Sequence, residues 1–150
     1  MLLPNCPARL YVSDDNTRLF YPVADTHAES ETYKTFFDGP YPSVPLVKWM
    51  VAAFLPNKDD RSKVLASPLL FTQEQAAAQP PTLIITAAVD PLLDEGKMFG
   101  HLLQQAGVEV AVFEADGQIH DFVMLEPTRK SATAVASVEL ASLKLRKALA

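Results

Sequence analysis

Only one cysteine, Cys6, occurs in the 150 residues, which excludes an intrachain disulfide and a thiolate-ligated metal cluster. A reducing compartment fits that count without following from it, and the cytoplasm is the expected location. Basic residues are outnumbered, 13 against 18 acidic, for a formal net charge of −5. No basic stripe is present to neutralise a nucleic-acid backbone, so nucleic-acid binding is not expected. Long apolar runs are missing as well: those at 82–88 and 108–113 fall far short of the roughly 20 residues of a membrane helix. Residues 1–10, with one late arginine and prolines at 4 and 7, do not read as a secretory signal. The three histidines, His27, His101 and His120, lack metal-ligand spacing, and neither metal nor cofactor is expected. Glycine is scarce, at 39, 96, 100, 107 and 117 only, and none flanks a serine.

What is present suits one packed domain: 49% hydrophobic and 21% charged residues over a length typical of autonomous domains. The segment 9–13 reads as a short strand, with Asp14, Asp15 and Asn16 favouring a turn. Arg18-Leu-Phe-Tyr21 is a second strand, stopped by Pro22. The two make either a hairpin or a loose segment followed by an inner parallel strand. Residues 23–45 are polar, and Pro40, Pro42 and Pro45 forbid a long element. A helix over 45–55 carries Leu46, Met50, Ala53 and Phe54 on one face with Trp49 beside them, either as core or as the lining of a lid.

The second half alternates strand and helix. Residues 82–88 are almost wholly apolar and largely β-branched, as in a strand covered on both faces. A helix follows with Asp94 as N-cap, Glu95 as first-turn charge and an apolar stripe of Met98, Phe99, Leu102, Leu103 and Ala106, closed by Gly107 at C′. Then come a strand over 108–113 and a loop over 117–125. A last helix follows, with Pro127 in its first turn and Val135, Val138, Ala141, Leu145 and Leu149 on one face. This pattern is an α/β unit with parallel strands and right-handed crossovers.

Reactive groups in open α/β sheets gather beyond the carboxyl ends of strands. Asp90 follows the 82–88 strand, and His120 follows the next strand after one helix and one strand, so the two meet at the same sheet edge. A carboxylate on one imidazole nitrogen fixes the tautomer and leaves the other free to take a proton from a hydroxyl. Histidine suits that role because it exchanges protons near neutral pH. The alternatives are a loop histidine bonded to backbone and an aspartate capping the turn before Pro91. Spacing alone leaves both open.

Several strings together resemble the hormone-sensitive-lipase-like, fold-3 branch of the α/β-hydrolase fold, the carboxylesterases and lipases. They are Leu19-Phe-Tyr-Pro-Val-Ala-Asp25, Lys48-Trp-Met50, Ala66-Ser-Pro-Leu69, Asp90-Pro-Leu-Leu-Asp-Glu-Gly96, Ala106-Gly-Val108 and Ile119-His-Asp-Phe122, in the family's order from about residue 18. The resemblance implies the C-terminal part of that fold, about three parallel strands with flanking helices and a partial cap. Residues 1–150 are then one partial hydrolase domain, with 23–60 as a cap or connecting segment. Asp90 is implied as the triad acid and His120 as the base. Trp49, Met50 and Phe54 are implied as pocket lining, and Ser67 as structural.

The pattern breaks at the nucleophile. Gly-x-Ser-x-Gly and His-Gly-Gly-Gly are both absent, and His27, followed by Ala28 and Glu29, cannot replace the latter. Only 18 residues precede Leu19, so the resemblance leads one to expect that the family's first five strands are missing and that the Leu19 strand has an open edge. Ser13, Ser30, Ser43, Thr72 and Thr86 lack an elbow that would activate them. Asp121 stands where the family usually has glycine, where it either competes with Asp90 for the imidazole or faces solvent. The expected function is a serine-type carboxylic ester hydrolase acting on a small neutral ester, inactive alone and completed by another chain. The alternative is a non-catalytic remnant or association module, with a homo-oligomer as one expected form.

Overall fold

A computed structural model describes residues 11–13, 16–27 and 29–148. Four strands, β1 (Tyr11–Ser13), β2 (Asn16–Phe20), β3 (Thr82–Val89) and β4 (Val110–Ile119), form one sheet in that order. β1 runs antiparallel to β2, while β2, β3 and β4 are mutually parallel. The hairpin alternative for the first strands therefore holds, since 11–13 pairs back on 16–18 rather than lying loose, and of the other alternative only the inner parallel placement of β2 is kept. The rest of the 9–13 reading, Arg9 and Leu10, lies outside the described residues, as do Cys6 and the Asp14–Asp15 turn. Tyr21 N extends the β2–β3 ladder to Ile85 O at 2.6 Å. Pro22 then has no donor to continue it.

β3 alternates its side chains between two cores. Leu83, Ile85 and Ala87 face Tyr21, Ala115, Phe122, Ala134 and Ala141 on one side. Ile84 faces Leu19, Ala24, Phe99 and Leu103 on the other. That double burial is why its sequence is a continuous apolar run rather than an alternating one. Each fully buried aliphatic side chain contributes about 1.5–3 kcal/mol to the fold.

Helix α1 (Glu31–Thr35) and helix α2 (Val44–Phe54) lie in the connection from β2, and α3 (Gln73–Ala77) precedes β3. α4 (Leu93–Gln105) covers one sheet face and α5 (Ala132–Ala148) the other. α4 ends as expected: Gly107 takes φ +85°, with Gly107 N on Gln104 O and Val108 N on Leu103 O closing a Schellman turn. Its start differs from expectation. Leu92 is the N-cap residue and makes no side-chain cap. Asp94 lies inside the first turn, where its carboxylate accepts from Thr32 N at 3.0 Å, tying α4 to α1.

Two predicted helix faces are corrected by packing. α2 buries Val44 and Val47, with Val51 partly buried, against Tyr33 and Leu92, so the larger Trp49, Met50 and Phe54 face outward. α5 buries Ala134, Ser137 and Ala141, whereas Val135, Val138 and Leu145 are exposed. Small side chains let the helix approach the sheet closely, and the larger aliphatic side chains are left outside. Met98 of α4 is likewise exposed.

β4 is longer than the predicted 108–113. From Ala87 to Val89 β3 advances two positions while β4 advances four, from Ala115 to Ile119, through an irregularity that includes Gly117 at φ +66°. The expected 117–125 loop therefore starts only after Ile119. Pro127 belongs to a run of turns rather than to α5, whose first turn is capped by Ser131 Oγ accepting from Ala134 N at 3.1 Å.

Candidate active site

Val89 and Ile119 are register partners, so the residues after them, Asp90 and His120, leave adjacent parallel strands side by side. Asp90 Oδ2 lies 2.7 Å from His120 Nδ1, and Asp90 is only 1% exposed. Its other oxygen, Oδ1, accepts from Leu92 N at 2.9 Å. The turn-capping and imidazole-pairing readings of Asp90 are thus both true, one per oxygen. With both oxygens engaged, the carboxylate is locked in direction and the imidazole is oriented with Nε2 pointing away from it.

Aromatic rings hold the imidazole from its sides. The Tyr21 ring centroid is 4.6 Å from that of His120, and the Tyr41 centroid is at 6.3 Å. Asp121 Oδ1 is 3.7 Å from His120 Nε2, beyond hydrogen-bond length. Asp121 therefore lies beside the imidazole while keeping partial contact with solvent, and leaves the Nδ1 partnership to Asp90. Tyr21 keeps its phenolic proton strongly: burial first, then the charges of Asp121 and Asp90, push its ionisation well above the ordinary value.

A second buried carboxyl supports the site. Glu95, 1% exposed, accepts from Ala24 N at 2.8 Å through Oε1 and so pins the segment after Tyr21 to the first turn of α4. Burial pushes it up to about 8, against the opposing pull of the Ala24 and Asp25 backbone N–H groups. Oε2 has no hydrogen-bond partner among the described residues. Tyr33 lies beside it, and burial followed by the Glu95 charge pushes that phenol up too. In sequence Glu95 read only as a first-turn charge. Its spacing to Phe99 and Leu103, four and eight residues, was the signal that it sits on the buried face.

Residues 15–124 match the family model described as alpha/beta hydrolase fold. The chain belongs to that family. Among the hydrolases it is similar to, an esterase of Fusarium pseudograminearum is 44% identical over 130 residues, spanning 86% of this chain and 40% of that protein. An ethyl acetate hydrolase of Pseudomonas putida is 29% identical over 107 residues, spanning 71% and 33%. The solved structure of carboxyl esterase 2 from Tuber melanosporum superposes with a TM-score of 0.88 at 34% identity, over 91% of this chain and 45% of that one. The chain spans about 40% of the length of the first curated relatives it matches.

Within this hydrolase fold Ser30, Ser43, Ser67 and Thr72 are occupied structurally, whereas Thr86 Oγ1 is buried without a hydrogen-bond partner among the described residues. Ser67 is fully buried, donating to Arg61 O at 2.8 Å and accepting from Thr26 N at 3.0 Å. Ser30, Ser43 and Thr72 cap α1, α2 and α3. Thr86 lies buried in β3. No hydroxyl among the described residues hydrogen-bonds His120, and no described contact joins Trp49, Met50 or Phe54 to the Asp90–His120 pair. The described residues hold no group of three or more His, Cys, Asp or Glu arranged for a metal ion. No described helix is long and apolar enough to cross a membrane.

Proposed function

We propose that Asp90 and His120 are the acid and base of a serine-type carboxylic ester hydrolase, and that the nucleophile and oxyanion donors are supplied by sequence other than these 150 residues. The observation that carries the reading is the buried 2.7 Å Asp90–His120 contact at the carboxyl ends of adjacent parallel strands. His120 Nε2 would take the proton of the attacking serine and return it to the leaving alcohol. A water activated by the same nitrogen would then release the acid. Throughout, Asp90 holds the tautomer and stabilises the imidazolium.

The substrate we infer is a small neutral ester, in keeping with the apolar Trp49, Met50 and Phe54 on the outer face of α2, which we assign to the pocket of a cap formed by 23–60. The whole is one partial hydrolase domain, C-terminal in its fold and cytoplasmic. The test is to co-express the chain with a family region containing Gly-x-Ser-x-Gly and to follow short-chain nitrophenyl ester hydrolysis. Activity should appear only in the pair and vanish with His120→Ala. Activity that survives that substitution, or a well-folded pair without activity, removes the reading.

The exposed Val135, Val138 and Leu145 stripe favours a second reading, an association module without chemistry. A stable oligomer of this chain alone, inert toward the same esters with and without the added region, would select it.

A further inference from the structure

Arg18 is a charged residue on β2 between the buried Thr17 and Leu19, and ester hydrolysis as proposed gives it no role. Its register partner on β3 is Leu83, and that of Leu83 on β4 is Ala111. Paired residues of parallel strands point to the same face, so the three form a row on the α5 side, where Leu83 shares a core with Ala134 and Ala141. Arg18 Nη1 donates to Asn16 Oδ1 at 3.0 Å and to Thr17 O at 2.8 Å. Both bonds use one nitrogen and leave the other edge of the guanidinium, Nε with Nη2, unengaged. Arg18 as a whole is half-buried, but those two nitrogens are enclosed and have no hydrogen-bond partner among the described residues. They are the parallel pair of donors with which arginine grips two oxygens of one group. Burial pulls the guanidinium down from its ordinary ionisation value, as expected of a charge partly withdrawn from water.

The row lines a cavity of about 60 Å³. The other charged residues around it are Lys144 of α5, half-buried, and Glu109, exposed just before β4. We infer that this cavity binds the carboxylate group of a small organic acid, with Arg18 Nε and Nη2 donating to its two oxygens and Lys144 adding a second positive charge. An enclosed donor pair without an acceptor is costly, and taking up an acceptor removes that cost. Charge decides the class of ligand. Two cations and the Glu109 carboxylate leave a net charge of one, which a monoanion balances and a doubly charged phosphate does not. Size decides the occupant: the volume is several times what one water needs, enough for a carboxylate on a short stem. The site stands at the amino ends of strands whose carboxyl ends carry Asp90 and His120. From Leu83 to Asp90 the chain advances roughly 23 Å at the usual strand rise. Binding there requires nothing of His120 as a base.

Nuclear magnetic resonance of the arginine Nε–H groups in the 150-residue chain, titrated with sodium acetate at an ionic strength held constant with sodium chloride, tests this. The Arg18 Nε–H should move downfield and saturate, as a charge-assisted bond to a carboxylate requires. Phosphate at pH 8 should bind at least roughly tenfold more weakly than acetate, and Lys144→Gln should raise the acetate Kd by roughly tenfold. Arg18→Lys keeps the charge and loses the donor pair; followed by calorimetry, it should lose saturable acetate binding. An acetate response no larger than that of chloride overturns the site, as does an Arg18→Lys chain that binds acetate like the wild type. Phosphate binding tighter than acetate overturns the carboxylate class. A downfield, protected Nε–H present without acetate and lost on dilution overturns the small-acid occupant in favour of a carboxylate from a second copy of the chain. Should Arg18→Lys not fold, the wild-type titrations and Lys144→Gln decide by themselves.

Discussion

Asp90 and Glu95 stand five residues apart, both almost wholly buried, and they differ in how their oxygens are satisfied. Asp90 has a hydrogen-bond donor for each oxygen, whereas Glu95 leaves Oε2 without one among the described residues. Asp90→Asn should therefore abolish the fixed tautomer, lowering kcat of the co-expressed pair on the order of 10⁴-fold. For Glu95 the effect is on stability. Its ordinary value of 4.5 is raised to about 8 in the fold. Below the ordinary value both folded and unfolded chains hold the proton, and the contribution is complete. Between the two values unfolding releases the proton, so stability falls as pH rises, by up to about 1.4 kcal/mol per unit. Above about 8 both states are ionised and the dependence ends. Glu95→Gln should flatten this slope; urea unfolding at pH 5.5 and 7.5 measures it, and equal slopes in the two proteins would refute it.

Elements set the spacing on which the site depends. α4 presents Gly96 and Gly100 to the sheet: a Cβ at 96 would lie 2.8 Å from Thr86 Cγ2 and one at 100 would lie 2.5 Å from Val112 Cγ2. Thr86 is enclosed, but Val112 is partly exposed and can turn aside. Gly96→Ala should therefore cost about 1–3 kcal/mol in urea unfolding, by overpacking, and Gly100→Ala less. Parity matters in β4. Its irregularity inserts two extra residues between Ala115 and Ile119, an even number, so Ile119 and His120 keep the faces that a regular strand would give them. Deleting Gln118 alone should turn His120 to the other side and remove the exchange-protected Nδ1 proton that its bond to Asp90 gives in nuclear magnetic resonance. Deleting Gly117 and Gln118 together should retain it. Identical spectra from the two deletions would show that parity does not govern the site.

At the scale of the whole molecule, the sheet leaves β4 at one end, and the described β1 pairing covers only Asn16, Thr17 and Arg18 of β2. The exposed stripe of α5 adds apolar surface, so the chain should self-associate, and Val138→Lys should lower its sedimentation coefficient while changing stability by less than about 0.5 kcal/mol. An unchanged coefficient would count against the stripe as a contact surface. The α/β class, the Gly107 helix end and the arrival of Asp90 and His120 at one sheet edge were legible from local chemistry and the strand–helix–strand repeat. The third parallel strand and the pairing of Asp90 with His120 were left open by spacing and came only with the family resemblance. The buried faces of α2 and α5 were not legible, because both helices are apolar around much of their circumference and closeness of approach, favouring Ala134, Ser137 and Ala141, decided which side went inward. The length of β4 escaped because Gly117 marks a turn in sequence but an irregularity within a ladder. What the sequence by itself determined is which acid and which histidine reach a common sheet edge, since strand order and spacing suffice for that. Only the tertiary structure decided that Tyr21 and Asp121 surround that histidine and that Glu95 is buried beside it, because those neighbours come from separate segments whose meeting depends on packing rather than on any local pattern.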